Sequence, residues 1–130
     1  MTVDEMAERI VETVGGIGGG VTFAEIVNAV GEEAKGDGQL GWPDLNVVLW
    51  TDVSENFIKA FNLAKERIFP VPTEFLTYAM DGMLLNLPVA RQLKKSYKDP
   101  HWLPVVFWLR DSKVGKRLSD LRMGMLGKMK

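Results

Sequence analysis

The 130-residue chain contains no cysteine. Disulfides, thiolate zinc sites and cysteine nucleophiles are therefore excluded. Histidine is almost as scarce: His101, between Pro100 and Trp102, stands alone. A metal site would have to combine it with carboxylates, and no second histidine supplies the spacing that zinc sites use. A Ser–His pair would need Ser54, Ser96 or Ser112, and no nucleophile-elbow motif is present. His101 is expected to be structural. Long apolar runs are also missing, since none reaches the ~18 residues that span a bilayer. The first ten residues, "MTVDEMAERI", are acidic and amphipathic, unlike a secretory leader. The expectation is a cytoplasmic protein with no membrane partner.

Glycine is abundant, but not in a phosphate-binding pattern. "GGIGGG" at 15–20 lacks the Gly-Lys-Ser/Thr ending of a phosphate loop. It also follows a helical pattern, whereas a dinucleotide loop follows a strand. It is expected to be a connector between helices. Glu32, Glu33 and Asp37 could hold a hard cation only weakly and are expected to form a solvated face. No enzyme activity, metal or cofactor is expected.

Charge is segregated along the chain. Residues 1–90 carry 5 Lys/Arg against 14 Asp/Glu, and residues 91–130 carry 11 against 3. The resulting −9 and +8 make up the net −1. Such asymmetry implies an anionic partner for the basic part, or contact between the two parts.

Val3, Met6, Ala7, Ile10, Val11 and Val14 recur at helical spacing and predict a first amphipathic helix. Val21 and Thr22 allow a very short strand. Thr22 with Glu25 forms a capping box ahead of a second helix with Phe23, Ile26, Val27 and Val30 on its apolar face. Residues 36–50 read as a glycine-rich loop running into an apolar stretch. Asn46–Trp50 is either a short strand or a bridging segment. A third helix over 53–67 carries Val53, Phe57, Ala60, Phe61, Ala64 and Ile68 on one face. Asp52 and Glu55 resemble a second capping box, and Pro70 and Pro72 end the helix. Ile10, Val27, Val30, Phe57 and Phe61 are expected to share one core.

Beyond Pro72 the period changes. Asp81-Gly82 between apolar runs predicts a hairpin of 74–80 with 83–87, because both turn positions favour positive φ. Residues 103–109 predict a further strand. Between them, Arg91, Lys94, Lys95 and Lys98 surround Tyr97, a composition suited to phosphate contact with aromatic stacking. The tail predicts a basic amphipathic helix. Lys113, Lys116 and Arg117 stand there as phosphate contacts, and Leu118, Leu121 and Met125 as a face for a partner or a second copy. Met123 and Met129 suit the same surface, whereas Met6, Met80 and Met83 read as core.

Helix, short strand, helix, helix and then a hairpin resembles the element order of winged-helix domains. The resemblance covers about residues 3–109 and rests on that order and on Asp81-Gly82. It implies an α+β fold: a winged-helix-like three-helix core with a small antiparallel β-sheet, followed by a basic C-terminal helix. The domain would cover 1–110 and the tail 111–130. The resemblance further implies a third helix that enters the DNA major groove, with Asn56, Lys59 and Asn62 facing base edges. It implies a wing within 88–102 that grips the backbone. Glu55 and Glu66 on the same helix, and the long 36–50 insertion with Trp42 and Trp50, depart from that pattern. Two functions follow as expectations: a non-enzymatic nucleic-acid-binding regulatory or accessory protein acting on double-stranded DNA, or a protein-interaction or assembly module that binds a partner or itself through the tail helix.

Overall fold

The computed structural model describes residues 1–16, 18–74, 77–78 and 85–112. Within them lie three α-helices and two three-stranded sheets. The first helix, α1, spans Val3–Gly16 and buries Met6, Ala7, Ile10, Val11 and Val14, the predicted stripe. Its entry is fixed by Thr2, whose N–H donates to Glu5 Oε1 at 2.9 Å while its hydroxyl accepts from Glu5 N at 3.1 Å. The Thr2 backbone N–H first, and the Thr2 hydroxyl second, hold the Glu5 carboxyl below its ordinary range. The glycine connector then brings the chain close to a later strand. A Cβ on Gly19, at φ +102°, would stand 2.0 Å from the Trp108 ring.

Strand β1 (Val21–Thr22) leads into α2 (Phe23–Val30) through the predicted Thr22–Glu25 capping box, with both arms formed. The glycine-rich part of 36–50 is not a loop, and of the two alternatives for Asn46–Trp50 the strand holds from Val47. After a 3-10 turn at Glu32–Ala34 come β2 (Lys35–Trp42) and β3 (Val47–Val53). The glycines serve close approach here. A Cβ on Gly41 would lie 2.2 Å from Val47 O. Trp42 and Trp50 are buried, so the insertion adds to the core.

Helix α3 is shorter than predicted, Glu55–Ala64. Val53 belongs to β3, and Ile68 opens β4 (Ile68–Pro72), so both apolar residues extend the stripe without being helical. The N-cap is Ser54, whose hydroxyl accepts from Phe57 N at 3.0 Å and donates to Glu33 O at 2.7 Å. Asp52 is a strand residue at φ 58° and does not cap the helix. Pro70 and Pro72 lie within β4. They fit because β4 is an edge strand among the described residues, where alternate nitrogens point away from its neighbour β6.

Residues 103–109 contribute β6 (Val105–Leu109), but its partners differ from the expectation. It pairs antiparallel with β1 on one side and β4 on the other. The predicted hairpin of 74–80 with 83–87 is not the partner. Residues 79–84, with Asp81-Gly82 and both Met80 and Met83, lie outside the described residues. Thr77 and Tyr78 are helical, and 85–87 are not in a strand. A second sheet orders β2-β3-β5, with β5 (His101–Trp102) parallel to β3, so the single antiparallel sheet of the expectation becomes two sheets.

Tyr78 joins the parts. The β1–β6 register pairs Val21 with Phe107 and Thr22 with Val106. One step further, Phe23 would face Val105, but Phe23 starts α2. The Tyr78 hydroxyl fills the interval, accepting from Phe23 N at 2.9 Å and donating to Val105 O at 2.6 Å. Its ring meets Trp50 and Trp102 at 5.3 and 5.1 Å. Phe23, Phe61 and Phe107 form the adjoining aromatic group, 4.9 to 5.6 Å apart. Ile10, Val27, Val30, Phe57 and Phe61 share the same buried cluster, as expected. Among the described residues, no helix is long and apolar enough to cross a membrane.

Candidate nucleic-acid interface

The basic loop is braced from three directions. At its base, Ala90 N donates to Trp102 O at 2.7 Å and Trp102 N to Pro88 O at 2.8 Å. The second brace is the β2–β3 turn. Pro43 starts a 3-10 turn over Pro43–Leu45, and Asn46 closes it at φ 57°, ψ 39°. Asparagine tolerates this left-handed region better than most residues. Leu45 O accepts from Tyr97 N at 2.9 Å, and Asn46 O accepts from His101 N at 2.8 Å. The Asn46 side-chain amide donates to Tyr97 O and Lys98 O, both at 3.1 Å.

The third brace is internal. Gln92 Oε1 accepts from Lys94 N at 2.6 Å and Lys95 N at 2.8 Å, while its amide donates to Lys95 O at 3.1 Å. The Tyr97 hydroxyl accepts from Arg91 N at 2.8 Å and Gln92 N at 3.3 Å. Its ring stacks on His101 with centroids 3.8 Å apart. His101 also shapes the loop: its Nδ1 lies 2.8 Å from Asp99 O, a hydrogen bond in which Nδ1 donates because a carbonyl only accepts.

The backbone is thus held while the charges face water. Arg91, Lys94, Lys95 and Lys98 are exposed. The ion pairs among the described residues are Met1–Glu33, Glu32–Lys35, Glu55–Lys59 and Glu8–Arg67, none of them on this loop. Its cations therefore meet no carboxylate there, and four like charges share a short segment.

Helix α3 offers a different surface. Asn56, Lys59 and Asn62 are exposed, and Leu63 is 51% exposed beside them. Lys59 lies 3.6 Å from Glu55, and Arg67, just past the helix, lies 2.7 Å from Glu8 on α1. This face is close to neutral. Arg91, Lys94, Lys95, Tyr97 and Lys98 share one loop, whereas Asn56, Lys59 and Asn62 belong to α3. Lys113, Lys116, Arg117, Leu118, Leu121 and Met125 lie outside the described residues, as does the tail helix.

Other chemistry is sparse. An open groove of about 360 Å³ lies between β2–β3 and residues 85–87, and its described lining holds no titratable side chain. No three His, Asp or Glu side chains among the described residues gather as a metal site. The Ser54 hydroxyl caps α3, and Ser112 Oγ donates to Leu109 O at 2.6 Å. The sequence reading missed Asn46 and Gln92, the residues that shape the basic loop. "WPDLN", 42–46, does carry a turn signal, since proline presets φ and asparagine accepts the left-handed position. Nothing comparable marks Gln92. Comparison of the chain with protein-family models, with curated proteins and with solved structures finds no match.

Proposed function

We propose that this chain is a non-enzymatic nucleic-acid-binding protein that grips the phosphate backbone of duplex DNA through the 91–98 loop. One observation carries the reading: four exposed cations, free of carboxylate partners among the described residues, on a loop whose backbone is fixed. Phosphate contacts from lysine and arginine supply most non-specific affinity, and a fixed loop loses little freedom on binding. A winged-helix-like scaffold agrees with this. Leaving aside the second sheet of β2, β3 and β5, the order is α1-β1-α2-α3-β4-β6, with sheet order β1-β6-β4. In that arrangement the connection between the last two strands is the wing, and the basic loop belongs to it.

The neutral face of α3, with Leu63 exposed, favours the second reading for that surface: contact with a protein instead of reading of base edges by Asn56, Lys59 and Asn62. Fluorescence anisotropy with a random-sequence duplex at low and moderate salt tests the phosphate grip of the loop. Binding should weaken steeply with salt, with a log–log slope of about −0.9 per phosphate neutralised. Replacing Lys94 and Lys95 with alanine should make that slope shallower by up to about two units. If the wild type fails to bind duplex DNA even at low salt, the loop is a solvated edge and the nucleic-acid reading falls.

A further inference from the structure

We infer that the basic loop is a pre-shaped reader of phosphate geometry that makes no use of base stacking, with Asn46 and Gln92 as its positioning residues. The inference rests on the nucleic-acid reading above and specifies its mode. A basic segment around a tyrosine ordinarily suggests a stacking platform for unpaired bases. Here Tyr97 is committed inward. Its ring lies against His101 with an interplanar angle of 17°, its side chain packs on the core, and its hydroxyl holds the amides of Arg91 and Gln92. Exposing it to a base would break the contacts that define the loop. Arg91, Lys94, Lys95 and Lys98 are exposed, with Ser96 and the neighbouring Asp99, and cations contact phosphates without direct base information.

Neither positioning residue carries a charge. Asn46 reaches across from the β2–β3 turn to two loop carbonyls, and Gln92 gathers the Lys94 and Lys95 amides onto one oxygen. Removing these side chains leaves every cation present while freeing the backbone that spaces them. Affinity should fall, because ordering then has to occur on binding. The number of phosphates contacted should not change.

The test uses the full chain with four probes: two mixed-sequence duplexes of different base composition, single-stranded oligo-dT and inorganic polyphosphate. Asn46→Gly is the cleaner substitution at that position, because glycine keeps the positive φ while deleting the amide. Gln92→Ala is a second variant, outside the β2–β3 turn, should Asn46→Gly disturb that turn. Urea midpoints check that each variant is folded. The wild type should bind both duplexes alike, bind polyphosphate with a comparable salt dependence, and show no preference for oligo-dT. Each variant should bind duplex about 3- to 10-fold more weakly, with its salt slope unchanged. Wild-type affinity in both folded variants would overturn the positioning roles while leaving the nucleic-acid reading intact. Tighter binding of oligo-dT than of duplex would overturn the exclusion of stacking. Failure of the wild type to bind any probe would remove this inference together with the reading beneath it.

Discussion

Tyr78→Phe isolates a single oxygen on which two strands and a helix depend. The side chain is fully buried, and its hydroxyl bridges Phe23 N and Val105 O at 2.9 and 2.6 Å. Phe23 opens α2, so its N–H has no acceptor within the helix. Val105 O points past the end of β1, where the ladder has stopped. Phenylalanine keeps the ring and its contacts with Trp50 and Trp102, so no large cavity forms. What is lost is the partner of one buried donor and one buried acceptor, each costing about 1–3 kcal/mol when left unsatisfied. The two groups face each other and relax partly towards direct contact, so the lower part of the summed range applies: about 2–4 kcal/mol. Against a total stability of roughly 5–15 kcal/mol, that is a large fraction. With a urea m-value near 2 kcal/mol/M, the midpoint should fall by about 1–2 M. Tyr97→Phe is the control. Its hydroxyl also holds two amides, but in a loop that water reaches, so its loss should stay under about 1 kcal/mol. Equal midpoints for Tyr78→Phe and wild type would show that the bridge contributes nothing and would refute this account of how β1, α2 and β6 are joined.

Two further predictions bear on the scaffold. Phe61→Ala empties a fully buried site between Phe23 and Phe107 and should cost about 3–5 kcal/mol by denaturant titration; a loss under ~1 kcal/mol would remove Phe61 from the core. Gly41→Ala drives a methyl group into Val47 O and should destabilise by roughly 1–3 kcal/mol through forced backbone shifts. A neutral result for Gly41→Ala would mean that residues 36–42 behave as the loop suggested by their glycine content.

Local patterns were decisive wherever a single element carried its own signal. The stripe of α1, the Thr22–Glu25 box and the apolar face around Phe57 and Phe61 need only chain-neighbour geometry to be recognised, and each agrees with the fold. The basic composition of 91–98 was equally legible, because charge is a property of residue type. Pairing between distant segments was not. Gly36, Gly38 and Gly41 look like loop residues until β3 comes close enough to require them. Pro70 and Pro72 look like helix terminators, yet β4, an edge strand among the described residues, dispenses with their missing N–H groups. The period of its neighbours predicts a hairpin position for Tyr78, whereas its role is set by a helix start 55 residues earlier and a carbonyl 27 residues later. Tyr97 shows the same division at the candidate site. Sequence alone established that an aromatic stands among lysines. Only the tertiary structure turned its ring onto His101 and its hydroxyl onto backbone amides, because the loop is held by Asn46, in a turn between two strands of which the first reads in composition as a glycine-rich loop.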